Sequence, residues 1–240
     1  MLYSLFSSIN SLEILKSISS RSCLAAFTAF FISIFFGHWF IKRLRSLKVG
    51  EDTTKTDSEE LKRMHFDKKN TPTMGGIVII VSILVSVLLW CNIYNEYILL
   101  LMFTLIWFGV LGFIDDYIKL TQTKAAGLTD VSKLLFQSAL GLILGLILYF
   151  HMKKFAWGTH VVIPLVKDFR PDLGPLYILF VTFFIVGMSN AVNLTDGLDG
   201  LAIGCGIIAG IAFAVVAYVS GRMDFSNYLR ILYIPGSGEL

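Results

Sequence analysis

The sequence predicts an all-α polytopic membrane protein with about six transmembrane helices. Three observations predict it. The mean hydropathy is +0.73. Only 15% of the 240 residues are charged, less polar surface than a soluble domain needs. Those charges are clumped, and the stretches between them approach the ~20 residues that a bilayer core demands of a helix.

Residues 1–22 come first, with apolar positions at Leu2, Leu5, Phe6, Ile9, Leu12 and Leu15. They suit an interfacial helix on the outer leaflet and lack the positive start of a cleavable signal. Residues 23–219 hold the six-helix transmembrane domain, in the segments Cys23–Ile41, Met74–Ile93, Tyr97–Ile114, Leu134–Phe150, Leu176–Val192 and Leu201–Val219. As helices they satisfy their own backbone hydrogen bonds, which hydrocarbon requires. Glycines in Gly141–Gly145 and Gly204–Gly210 suit close helix approach. Between the fourth and fifth segments, residues 160–166 (HVVIPLV) suit a short β-hairpin in an outer loop, and Pro175 suits a first helical turn. Residues 220–240 read as an outer tail.

Basic residues set the expected orientation. The segment Lys42–Lys69 carries nine of them and Lys119–Lys133 three more, while eight are spread over the other side. The positive-inside bias then puts both chain ends outside and three polar clusters at the cytoplasmic face. A net charge of +3 gives no case for nucleic acid as a partner. Cys23, Cys91 and Cys205 lie in or beside apolar segments without metal-ligand spacing and read as packing residues.

The three clusters carry the chemistry. The first runs from Lys68 and Lys69 through Asn70, Thr71, Pro72, Thr73 and Met74 to Gly75 and Gly76. A capped helix start beside two lysines favours an anion, phosphate above all, although a plain capped helix is the competing reading. The second is the pair Asp115–Asp116, expected to close the third span. Adjacent carboxylates there repel each other and oppose the helix dipole, so a cation should compensate, and Mg²⁺ takes one or two carboxylates plus phosphate oxygens. The third is Ser189–Leu201 (SNAVNLTDGLDGL), a polar turn whose Asn190 and Asn193 share a helical face. Gly197 and Gly200 permit backbone shapes closed to other residues. No nucleophile elbow, P-loop or zinc-helix motif is present.

These clusters, in this order between membrane spans, resemble the polyprenyl-phosphate N-acetylhexosamine-1-phosphate transferases. TPTMGG (71–76) and SNAVNLTDGLDGL (189–201) are similar to the phospho-N-acetylmuramoyl-pentapeptide-transferase branch. The resemblance implies transfer of phospho-N-acetylmuramoyl-pentapeptide from its UDP-linked donor to undecaprenyl phosphate, giving lipid I and UMP with Mg²⁺ in peptidoglycan synthesis. It also implies the bacterial inner membrane, with the site facing the cytoplasm. Its implied catalytic residues are Asp115 as base toward the lipid phosphate, Asp116 and Asp196. Asp115 and Asp116 would hold the metal. Lys68, Asn193, Gly197, Leu198 and Asp199 would contact the nucleotide or diphosphate, with Thr73, Asn190, Lys119, Lys124 and Lys133 as further candidates. Membrane lipid and a second copy of the chain, as a homodimer, are the other partners left open.

The sequence departs from the family at Asn70, where glycine is usual, and Asn tolerates left-handed backbone well enough to keep the turn. Family members also continue past the equivalent of Leu240 through further helices, so a truncated sequence leading to a missing seventh span is expected. The rival readings are a sister enzyme using UDP-N-acetylglucosamine, and a transporter or scaffold. Transporters place polar groups near the bilayer midplane, whereas these polar residues crowd one face.

Overall fold

A peptide group in hydrocarbon must bond within its own segment, and the apolar stretches of this chain do so as α-helices. The computed structural model describes residues 17–46, 74–121, 127–155, 158–163, 169–198 and 200–240. In chain order the helices are α1 (Ile18–Ser46), α2 (Gly76–Trp90), α3 (Glu96–Thr121), α4 (Asp130–Met152), α5 (Leu176–Thr195), α6 (Leu201–Ser220) and α7 (Met223–Leu229), followed by a short 3₁₀ turn at Ser237–Glu239. Five of them, α1 and α3 to α6, are long and apolar enough to span a membrane. Their exposed faces are apolar, as with Phe27, Phe31 and Phe35 on α1 and Ile207, Ile208 and Ile211 on α6. In water such continuous apolar faces would be a liability; in lipid they are the solvated surface.

The helix bounds differ from the sequence expectation in instructive ways. The second span is shorter than expected: α2 has 15 residues, about 22 Å at 1.5 Å per residue against a ~30 Å hydrocarbon core. Met74, expected as its first residue, takes φ +70 and lies outside the helix. At the other end Asn92 Oδ1 accepts from Tyr94 N (3.1 Å) and Asn95 Oδ1 from Tyr97 N (2.9 Å). Side chains that bond local backbone in this way compete with helix and end it early. Conversely α1 begins at Ile18, inside the expected interfacial segment, whose residues 1–16 lie outside the described ones. The α3 helix continues past Ile114 to Thr121.

The chain divides into two compact units, one of Met1–Gly127 with Val216–Leu240 and one of Leu128–Val215. In the first, α1 and α2 run antiparallel, with Trp90 Nε1 donating to Thr28 Oγ1 (2.9 Å) and Gly37 facing Val78. The tail folds back on the end where α1 starts and α2 finishes. Arg21 makes a two-pronged ion pair with Glu239 (2.6 and 2.9 Å), and Asn95 Nδ2 donates to Gly236 O (2.8 Å). Nearby, Ser237 Oγ donates to Ala217 O (3.0 Å). Fork-to-carboxylate pairing is the geometry in which a shielded charge is best tolerated.

In the second unit Thr129 caps α4, its hydroxyl accepting from Ser132 N (3.3 Å). Antiparallel α4 and α5 then meet at two glycines. A methyl group on Gly141 would lie 2.8 Å from Thr182 Cα, and one on Gly145 would lie 2.9 Å from Ile178 O. This is the close approach expected of Gly141–Gly145. Among the described residues Gly204, Gly206 and Gly210 make no such contact, with nothing within 4 Å of a Cβ at any of them. The predicted β-hairpin reduces, among the described residues, to one antiparallel bridge between His160 and Asp172. Asp172 accepts from the Thr159 hydroxyl and from Gly174 N, and both bonds hold its carboxyl below the usual carboxylate range. A lowered value means that this tie is complete above the ordinary carboxylate pKa and is lost as pH falls through the lower folded value. Pro175, φ −62, directly precedes α5.

The glycine seam yields a stability test. Gly145→Ala should lower the thermal unfolding midpoint, because the new methyl meets backbone that cannot step aside; overpacking costs about 1–3 kcal/mol. Gly187→Ala on the same helix pair meets nothing within 4 Å and should be neutral or stabilising by about 0.5–1 kcal/mol. Equal midpoints for the two variants in detergent would refute the seam.

Candidate active site

Three charged side chains, Asp115, Asp116 and Lys119, cluster near the end of α3 in the first unit. The helix continues beyond Asp115 and Asp116, so the pair does not close it as expected but sits within its last two turns. That extra length puts Lys119 one turn on, with Nζ 2.7 Å from Asp115 Oδ2 and 4.0 Å from Asp116 Oδ1. A carboxylate four residues before a lysine is the favourable order, and a lysine in the last turn suits the dipole. Among the described residues, Lys119 supplies compensating charge to the pair. The Asp115 side chain is 14% exposed and that of Asp116 36%.

Gly127 closes over this group from the far side of the loop. Its φ of +90 is a conformation that favours glycine, and a Cβ there would stand 2.5 Å from Asp115 Oδ1 and 2.8 Å from Lys119 Cε. Asp115 is thus held from two directions. Asp116 turns instead toward a cavity of about 250 Å³ between α2 and α3, where it is the only charged lining residue among those described. Met74 and Gly76, the described end of the first cluster, line the same cavity. The structure therefore brings the start of α2 and the aspartate pair together. Lys68, Thr73, Lys124 and Asp199 lie outside the described residues.

The third cluster belongs to the second unit. Asn190 and Asn193 both lie on α5, which runs on through Thr195, and they share a face as expected. The turn itself is shorter than expected and begins at Asp196, whose backbone N donates to Val192 O (3.2 Å). Asn193, Asp196, Gly197 and Leu198 are exposed. Of the two glycines only Gly200 uses its freedom, with φ +83, and it starts α6 by accepting from Gly204 N at 2.9 Å. Asp196 therefore stands where the negative end of α5 adjoins the free N–H groups of α6, a place suited to a cation and a phosphate together. Lys133 stands half-buried in the first turn of α4.

Asn190 is not free to turn. Its Nδ2 donates to Val186 O (2.8 Å) and to Gln137 Oε1 (2.9 Å). Gln137 in turn donates to Ser189 Oγ (3.0 Å). Sequence reasoning missed both Gln137 and Gly127. A signal existed for the first, since a glutamine inside an apolar span is costly unless bonded. None existed for Gly127, whose part depends on the path of the loop.

Spans clothed in apolar side chains, with carboxylates and amides gathered at helix ends, define a multi-pass membrane protein with a polar site. The chain belongs to the Glycosyl transferase family 4, whose model matches residues 97–236. Residues 68–80 also match the phospho-N-acetylmuramoyl-pentapeptide-transferase signature 1. The chain is 41% identical over 239 residues to the phospho-N-acetylmuramoyl-pentapeptide-transferase of Desulforapulum autotrophicum, covering all of this chain and 65% of that protein. It is 43% identical over 240 residues to the protein of that name in Thermodesulfovibrio yellowstonii, again covering 65% of it. The counterpart in Oleidesulfovibrio alaskensis is 41% identical, with 64% covered. The chain thus spans just under two thirds of the length of these curated relatives.

The packing of Gly127 on Asp115 can be checked chemically. Gly127→Ala should push the carboxylate outward and raise its labelling by a water-soluble carbodiimide severalfold, read by peptide mass spectrometry. Labelling equal to that of the parent protein would mean the loop absorbs the methyl group.

Proposed function

We propose that the protein transfers phospho-N-acetylmuramoyl-pentapeptide from its UDP-linked donor to undecaprenyl phosphate, forming lipid I and releasing UMP in peptidoglycan synthesis. The observation that carries this reading is the meeting of the signature stretch with the aspartate pair. Met74 and Gly76, within the matched residues 68–80, line one cavity with Asp116. The name shared by the relatives, 41–43% identical, supports phospho-N-acetylmuramoyl-pentapeptide as the transferred group, and the UDP-linked donor and lipid acceptor are what the motif resemblance implies. The site would face the cytoplasm at the bacterial inner membrane, in line with the lysine-rich segment 42–69.

The reaction joins an oxygen of the lipid phosphate to the β-phosphorus of the donor and breaks the bond from that phosphorus to the oxygen of UMP. Such a transfer asks for positioning and charge stabilisation more than for covalent help from the protein. Asp115, paired with Lys119 and packed beneath Gly127, would take a proton from the incoming lipid phosphate. Lys119 limits charge build-up beside it. Asn193, Asp196, Gly197 and Leu198 would bind the nucleotide and diphosphate, joined by Lys68, Thr73, Asn190 and Asp199.

A divalent cation fits these residues. Among the described residues no group of three or more His, Cys, Asp or Glu side chains could hold a metal on its own. Mg²⁺ needs no such cage, since it takes one or two carboxylates and completes its shell with water and substrate phosphate. Asp116, the more exposed of the pair, and Asp115 would hold it. Bound there, the ion would neutralise charge on the diphosphate.

The test is UMP release by the full-length protein in undecaprenyl phosphate micelles with Mg²⁺. The muramoyl-pentapeptide donor should be turned over and UDP-N-acetylglucosamine should not. Asp116→Asn should lower turnover by about 10²–10⁴-fold while the protein stays folded. UMP release from the acetylglucosamine donor alone would replace the muramoyl reading with that of a sister enzyme. Full turnover by Asp116→Asn at saturating Mg²⁺ would remove the aspartate pair from the mechanism.

A further inference from the structure

Gln137 is 5% exposed and sits in an otherwise apolar stretch of α4, between the cap at Thr129 and the glycines that meet α5. Its hydrogen bonds form a directed chain whose sense is fixed at one end. Val186 O can only accept, so Asn190 must turn Nδ2 toward it, and the same nitrogen must then donate to Gln137 Oε1. That leaves Gln137 Nε2 to donate to Ser189 Oγ. Both amide hydrogens of Asn190 are consumed, and its Oδ1 is the group left to project from the exposed face of α5 that also carries Asn193.

We propose that Gln137 is a positioning residue for the donor site, taking the second amide hydrogen of Asn190 so that, with Val186 O holding the first, only the amide oxygen is offered to the nucleotide sugar. This rests on the functional reading above, in which Asn190 contacts the donor. Packing alone does not require a glutamine here. The Gly141–Thr182 and Gly145–Ile178 contacts already bring α4 and α5 together, and an apolar side chain of the same length would fill the space without the desolvation cost of an amide. What an apolar side chain cannot do is take the second hydrogen of the Asn190 amide, whose sense Val186 O sets. Losing that acceptor leaves one N–H unbonded and the amide plane loosely held, at the site where a donor hydroxyl or amide hydrogen would seek an acceptor. Lys133, one turn earlier on the same face of α4, extends the polar side of this helix pair toward the turn at Asp196.

A double-mutant cycle separates positioning from helix adhesion. In the full-length protein, Gln137→Met should reduce kcat/KM for the donor roughly five- to tenfold, with KM for undecaprenyl phosphate unchanged. In an Asn190→Ala background the same substitution should cost less than about twofold. Equal losses in both backgrounds, or a fall in thermal stability with kcat/KM of the folded protein intact, would overturn the proposal and leave Gln137 as adhesion. Should Gln137→Met fail to fold, Ser189→Ala serves in the same cycle, loosening Gln137 without emptying its site; a loss that vanishes beside Asn190→Ala supports the proposal, and one that persists overturns it. If the unsubstituted protein releases no UMP from the donor, the functional reading fails first and this inference falls with it.

Discussion

Every backbone N–H and C=O in the hydrocarbon must find its partner within the protein, and the rest of this structure depends on that requirement. It explains why the long apolar stretches are helices, and why breaks in regular structure are confined to helix ends. Where α2 stops, Asn92 and Asn95 supply side-chain acceptors for the N–H groups of Tyr94 and Tyr97. Where α5 stops, the turn from Asp196 to Gly200 spends one left-handed glycine to start the next helix. Irregular backbone is placed where water or substrate can satisfy it, and the polar chemistry collects in the same places.

That rule made much of the fold legible in the sequence. Hydropathy located all six apolar segments, and the close approach at Gly141–Gly145 followed from composition. Helix ends were less legible, because they depend on which local side chain outbids the next helical bond. Asn92 bonds local backbone just past the end of α2, and Asn95 caps the start of α3. After Ile114 the side chain of Asp115 pairs with Lys119 one turn on, and α3 ran on. The glycines of α6 show the limit of composition: the same residue type that seals α4 to α5 meets no neighbour at Gly204, Gly206 and Gly210.

The site was legible as residue types and less so as geometry. Asp115, Asp116 and Met74 were expected near one another, and the α2–α3 cavity gathers Asp116 with Met74 and Gly76. From the sequence a cation is the expected compensation, and that expectation does not weigh the ion pair that the longer α3 provides, with Lys119 within 2.7 Å of Asp115. A helix end placed one residue before the pair hides an i, i+4 partner that the sequence spells out. Gly127 was beyond reach for a different reason: its function lies in a backbone path, φ +90 over Asp115, that no spacing rule encodes.

The two ends of the first unit use charge in opposite ways, and the contrast bears on function. At one end Arg21 and Glu239 meet in a shielded two-pronged fork. At the other, among the described residues, Lys119 lies near both carboxylates of an adjacent pair, and one of these, Asp116, faces a cavity. A protein shaped by stability alone would favour the first pattern at both ends, since exposed like charges in the last turns of a helix oppose both each other and the dipole. Adjacent carboxylates at this end of a helix carry a cost that a cation arriving with a polyanion would offset. On the proposed function, a diphosphate substrate brought in with its metal ion would have that charge distribution. The arrangement at the end of α3 would then serve binding more than stability.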